Sequence, residues 1–256
     1  MRLILASLFL LAPLAGQAAD RCPFEAPRNM SVDLAGVRGV QIEVRSFDLH
    51  VTGRAGAGKL DVHGRACASD RERLEQLVVT QRREGDQLIL ELGDGHGAFH
   101  LFGGGESDLD VNVELPANLP LTVDVGSGDA DVSGVGQLQS HVGSGDLHVR
   151  NVAGHFVTSV GSGDVEAHDV GSLEVGSVGS GDFTASGVRG DARVGSIGSG
   201  DLTLRDVRGS VHAETLGSGD LDVDGVDGDF SLGAKGSGDV SHSSVKGKVD
   251  VPRDDD

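Results

Sequence analysis

The tetrapeptide Gly-Ser-Gly-Asp recurs seven times, beginning at Gly126, Gly143, Gly161, Gly179, Gly198, Gly217 and Gly236. Successive copies lie 17, 18, 18, 19, 19 and 19 residues apart. A unit of that size cannot bury a core by itself. Regular repetition therefore restricts the chain to architectures in which each unit stacks on its neighbours.

One unit, from Gly198 to Leu216, carries the pattern in full. After Asp201, Leu202 and Leu204 alternate with Thr203 and Arg205, the period of a strand with one apolar face. Val207 and the Arg208-Gly209 turn follow, then Val211 and Ala213 alternate with His212 and Glu214. The other units keep the same columns. Val135, Val152, Val170, Val188, Val207, Val226 and Val245 all stand six residues after the aspartate. Polar residues hold the outward position in Asp131, His148, Glu166, Thr184, Thr203, Asp222 and Ser241. This predicts an all-β fold, a single-chain parallel β-solenoid of about seven regular coils. Each coil has two short strands and two sharp corners, and neighbouring coils are about 4.8 Å apart. Stacking would bury each Val or Leu for roughly 1.5–3 kcal/mol. The glycines are expected to supply positive φ at the corners.

Composition fits a narrow core. The chain has 256 residues, 41 of them Gly, with 3% aromatics and no Trp or Tyr. Gly without a three-residue period excludes collagen. A formal charge of −19 argues against nucleic acid or anionic lipid as a partner bound through a basic patch.

Residues 1–19 read as a signal peptide. Met1-Arg2 is a positive start, Leu3 to Leu14 is an apolar run too short to span a bilayer, and Ala18 and Ala19 suit cleavage. No Cys directly follows that run, which argues against a lipid anchor, and no later segment is long and apolar enough for one in the membrane. The destination is the periplasm, the cell surface or the medium. In an oxidising compartment Cys22 and Cys67 are expected to form a disulfide, stabilising the fold by roughly 4 kcal/mol in the chain-entropy model.

Residues 20–120 form the expected cap and degenerate repeat region. Residues 121–251 are the regular solenoid, and 252–256 an acidic tail. Arg45-Ser46-Phe47-Asp48 resembles a coil start with Phe47 in place of Gly. Ser69-Asp70-Arg71-Glu72 reads as a capping box opening one short helix to about Gln76. Leu77–Thr80 and Leu88–Leu92 flank Gly85-Asp86 as a hairpin, and Asp108–Leu115 alternates as a strand. The region is expected to cover the first coil's open edge, since bare edges invite aggregation. Lys246, Lys248, Pro252 and the Asp254–Asp256 tail would guard the far end.

The seven coils, with Val111-Asn112-Val113-Glu114-Leu115-Pro116 before them, resemble the bacterial "putative-adhesin" proteins with β-strand repeats, related to the head GIN-domain adhesins. The resemblance covers about residues 30–250. It implies a solenoid and an extracytoplasmic location, and it carries over no catalytic residue.

Asp129, Asp146, Asp164, Asp182, Asp201, Asp220 and Asp239 should form one column. Carboxylates about 4.8 Å apart repel by about 1 kcal/mol per pair even in water. Either each accepts backbone N–H groups in its corner, or Ca²⁺ sits between coils; Ca²⁺ wants about 6–8 oxygens. No other cofactor is expected. His96 and His100 lie near Asp94 and Glu106 but read as solvated loop residues, and His148, His168 and His212 fall in different columns. A nucleophile repeated seven times as Ser127 and its copies is not expected. A polysaccharide-cleaving β-helix would need a basic groove. DNA mimicry does not suit an exported chain, which would not meet DNA enzymes, and ice binding and aromatic sugar stacking lack their residues. The sequence thus favours a non-enzymatic adhesin or surface-interaction module with an envelope or extracellular ligand. A periplasmic structural or envelope-stress protein is the alternative, and a glycan-acting enzyme the distant one.

Overall fold

The computed structural model describes residues 22–94 and 106–252. The expected signal peptide, His96, His100 and the last four residues lie outside that range. The chain runs β1 (Phe24–Asp33), β2 (Gly39–Val44), β3 (Asp48–Arg54), β4 (Lys59–Ala68), helix α1 (Arg71–Gln76), β5 (Leu77–Glu84), β6 (Gln87–Asp94) and β7 (Ser107–Pro116). The regular coils follow as β8 (Leu121–Val125), β9 (Ala130–Ser133), β10 (Leu138–Val142), β11 (Leu147–Val160), β12 (Val165–Val178), β13 (Phe183–Val188) and β14 (Ala192–Ile197). They end with β15 (Leu202–Val207), β16 (Val211–Leu216), β17 (Leu221–Val226), β18 (Phe230–Lys235), β19 (Val240–Val245) and β20 (Val249–Asp250).

The fold is the β-solenoid that the period predicts. Strands one coil apart pair in parallel and in register: Phe183 with Leu202, Leu202 with Leu221, and Leu221 with Val240. The second strands pair likewise, Ala192 with Val211 and Val211 with Phe230. The inward columns are closed to solvent, including Phe183, Leu202, Leu204, Val207 and Leu221. Among the described residues the core holds one buried polar pair, Ser140 Oγ donating to Thr158 Oγ1 at 2.8 Å, in a column that otherwise carries Val123 and Val175. That bond satisfies both hydroxyls where an unpaired one would be costly.

The change of period has a local cause. The step from Val135 to Leu138 takes three residues, whereas Val152 to Phe156 takes four. The second strand then lengthens at Gly176, where the register shifts between Thr158 and Val160. One extra corner residue and one bulge residue together turn a 17-residue coil into a 19-residue one.

The corner glycines serve a different purpose from the one expected. None in the seven Gly-Ser-Gly-Asp copies has positive φ. A Cβ on Gly145, Gly163, Gly181, Gly200, Gly219 or Gly238 would instead lie 1.8 or 1.9 Å from the carbonyl oxygen of the matching glycine one coil back. The corners are tight because their N–H groups bond down the stack, as in Ser180 N to Gly161 O at 2.8 Å. Positive φ occurs at the next corner, in the column Gly134, Asn151, Asp169, Gly187, Asp206, Gly225 and Ser244. Gly, Asn and Asp tolerate that left-handed backbone best, and the variable residue identity hid the column from pattern reading.

The N-terminal region does more than cover an edge. Strands β2 and β3 pair in parallel with β8 and β9, so residues 39–54 form a coil beneath the first regular one. Strands β6 and β7 pair in parallel with β2 and β3 and form the coil beneath that. The stack therefore departs from chain order. Antiparallel strands then close the end: β5 on β6, β4 on β7, and β1 on β4. Asp70, not Ser69, caps α1 by accepting Arg73 N at 2.8 Å. Ser69 N still donates to Glu106 O at 2.9 Å, which holds it in the sheet and moves the cap one residue on. Cys22 and Cys67 form the expected disulfide, with Cα atoms 5.5 Å apart.

If the corner carbonyls dictate glycine, Gly181→Ala should lower stability by roughly 3 kcal/mol as a case of overpacking. Ser180→Ala in the same corner should change it by less than about 0.5 kcal/mol. Urea unfolding followed by circular dichroism measures both.

Candidate functional site

With the apolar side chains inside, function has to be sought on the outward columns and the corners. The outward column of the first-strand sheet runs Asn112, His50, Asp131, His148, Glu166 and Thr184 across successive coils. Its same-face neighbour two residues along includes Arg150, His168 and Ser186. Polar contacts run along the first column and across to its neighbours on either side. His50 Nδ1 lies 3.1 Å from Asp131, and its Nε2 lies 3.8 Å from Asp110. Glu166 lies between two imidazoles, 3.3 Å from His148 Nδ1 and 2.9 Å from His168 Nε2. His168 Nδ1 continues to Ser186 Oγ at 2.6 Å.

His148 and His168 do sit in different columns, as the sequence indicates, yet they meet through Glu166. The signal that would have found this is diagonal: residues two apart on neighbouring strands share a face and lie within reach of long side chains. The hydrogen bond from His168 holds the Glu166 carboxyl below the usual carboxylate range, and the charges of His168, His148 and Arg150 add to it. The side chains are a little under half exposed, so the contacts set surface chemistry more than stability. They present donors and acceptors at coil spacing along one flank.

The aspartate column takes the structural alternative. Asp146, Asp164, Asp182, Asp201, Asp220 and Asp239 each donate their backbone N–H to the carboxylate Oδ1 of the aspartate one coil back, at 2.9–3.3 Å. Each carboxylate from Asp129 to Asp220 is thus a strut between coils. One oxygen of each carboxylate from Asp129 to Asp220 is thereby directed at an amide. Among the described residues no three His, Cys, Asp or Glu side chains group to hold a metal ion.

At the lower end Asp48 continues the column and accepts the N–H of Asp129. Burial raises its carboxyl above the ordinary value, and the charges of Asp129, Asp108 and Asp110 push the same way.

The opposite corner forms a shallow groove in which acidic and basic side chains alternate, among them Asp169, Arg189, Asp206, Arg208 and Lys246. Arg189 reaches back over two coils to donate to Val152 O at 2.8 Å and Ala153 O at 3.2 Å. Lys246 pairs with Asp227 at 2.7 Å, so this lysine is tied to the preceding coil.

A stack with these columns matches a family model described as Toastrack DUF4097 over residues 39–251, from the first residue of β2 to the last coil. The chain belongs to the Toastrack family. Solved structures share the Toastrack fold along nearly the whole chain. A "putative adhesin" from Bacteroides fragilis NCTC 9343 is 16% identical, with a TM-score of 0.55, covering 91% of this chain and 99% of that one. A "putative lipid binding protein" from Parabacteroides distasonis ATCC 8503 is 14% identical, with a TM-score of 0.51, covering 88% and 96%. At such identities they establish the fold alone. No curated protein matches this Toastrack chain in sequence.

Two outcomes follow from the aspartate geometry. Asp164→Ala should cost about 1 kcal/mol by leaving Asp182 N without its strut, while Asp164→Asn, which keeps an acceptor, should cost clearly less. Thermal melts of both should be unchanged between Ca²⁺ and chelator if the column is only structural.

Asp48 carries the opposite sign. A carboxyl with a raised folded value is harder to ionise in the native state, so its cost appears as pH rises through the unfolded value towards the folded one. Asp48→Asn should therefore stabilise at pH 7, by about 0.5 kcal/mol or less after solvent screening, and by less at pH 3.5. Melting temperatures across that pH range decide it.

Proposed function

We propose that this Toastrack chain is an exported, non-enzymatic interaction module of adhesin type, whose working surface is the histidine–carboxylate flank. One observation carries the reading: Asp110, His50, Asp131, His148, Glu166, His168 and Ser186 form a polar strip over six stacked coils, regularly spaced and half-exposed to solvent. The core takes the inward apolar side chains, and the corner bonds engage the aspartates of the Gly-Ser-Gly-Asp column. The strip offers donors and acceptors to a partner of hydroxyl-bearing or charged chemistry, in the envelope or outside the cell. The adhesin description of a structural neighbour accords with this. The lipid-binding description of another warns that one fold serves different ligands. The Gly-Ser-Gly-Asp coil as this chain's form of the family repeat, and its kinship with the head GIN-domain adhesins, belong to the same proposal. Export is supported by the N-terminal sequence and by the paired cysteines. No helix among the described residues is long and apolar enough to cross a membrane.

Protease shaving of intact cells against lysed controls tests the location. Loss of the protein from intact cells is expected. Protection until the outer membrane is ruptured would overturn the surface role and favour a periplasmic structural or envelope-stress protein.

A further inference from the structure

The two ends of the solenoid are finished differently. At the N-terminal end, antiparallel strands cover both strands of the outermost coil, β5 on β6 and β4 on β7. The outer strands of that cap are protected in turn. Pro27 stands within β1 and removes one edge donor, and the exposed half of β5 carries Arg82, Arg83 and Glu84. These are devices that stop a strand edge from recruiting another chain.

The C-terminal end has neither device within its main strand. β19 pairs only with β17, and β20 only with β18, so the outer edge of this coil is unpaired among the described residues. The segment Val240–Val245 contains no proline and no charge. Its column mates in earlier coils are fully buried, yet Val240 and Val245 are only half-buried here, and Val249 is 37% exposed. His242 occupies the inward position held by Leu204 and Val223 below, and it packs edge-on against Phe230. Lys246 and Lys248, expected to guard this end, lie outside β19 and pair with Asp227 and Asp250 of the same chain.

We propose that the C-terminal coil is an interface for a second copy of this chain, joined end to end about a two-fold axis with β19 antiparallel to its mate. Such a pairing repeats what the chain does at its own other end, where antiparallel strands close a parallel stack. It gives the edge amides and carbonyls their partners and removes Val240, Val245 and Val249 from water. The sealed N-terminal end leaves no complementary edge for head-to-tail growth. Assembly therefore closes at two copies and does not extend into a fibre. Same-face pairing places His242 opposite Val240 or His242 of the partner copy, so the inward side chains at these positions decide the contact.

Sedimentation velocity on the full chain, from about 1 to 100 µM, tests this. A species of twice the monomer mass is expected at the upper end, near the scale of small interfaces. Val240→Lys places a charge in the contact and should raise the dissociation constant by roughly tenfold or more. Thr203→Lys, on the flank, should leave it unchanged. Because Val240→Lys could loosen the last coil by itself, amide hydrogen exchange of the unaltered protein is read alongside. Protection across residues 240–245 should rise with concentration, while β1 and β5 stay constant. A strict monomer across the range, larger open-ended assemblies, or a dimer without added protection in β19 would each overturn the proposal.

Discussion

The carbonyl of a corner glycine lies where the next coil's corner residue would have to place a Cβ, within 1.8 or 1.9 Å. That contact sets the rest of the structure. Only a glycine lets successive corners close to hydrogen-bonding distance, and only then do the corner amides find the carbonyls one coil back. The same approach brings each aspartate N–H onto the preceding carboxylate and holds the inward columns in van der Waals contact. Phe47 marks where the constraint lapses. Its carbonyl oxygen lies 2.0 Å from where a Cβ on Gly128 would stand, so the first regular corner already needs its glycine.

The inward columns, the strand pairs and the stacking direction were legible in the sequence because a period-two pattern repeated seven times leaves few alternatives. The purpose of the corner glycines was not, because a glycine required by a neighbouring carbonyl looks the same as one required by positive φ. The real positive-φ column uses Gly, Asn, Asp and Ser, which share a backbone tolerance and no common side chain. Two N-terminal coils were half visible. Asp48-Leu49-His50-Val51 carried the motif, but nothing in the order of residues tells that β2 and β3 lie between β6–β7 and β8–β9. The Glu166 contacts of His148 and His168 depend on side-chain reach across columns, which column-by-column reading discards.

Charge is distributed with some economy across the surface. Carboxylates that would repel if stacked freely accept amides at the corner or imidazoles on the flank, and several imidazoles bond to the coil above, as His155 does to Ser172 and His212 to Ser231. The polar surface is thereby ordered by the same coil repeat that orders the core. A rigid, evenly spaced polar strip is a physical consequence of stacking, whatever chemistry finally recognises it.

The out-of-order stacking near the N-terminus bears on how the chain acquires its shape. Residues 39–54 have one neighbour drawn from 87–116 and another from 121–133. A chain emerging from its N-terminus cannot complete that coil on both sides until well over a hundred residues are available. Nucleation is therefore cheaper among the regular coils, where each contact spans a single repeat and loop closure costs least. Folding would then spread towards the cap, with the Cys22–Cys67 bridge joining two strands of the last part to settle.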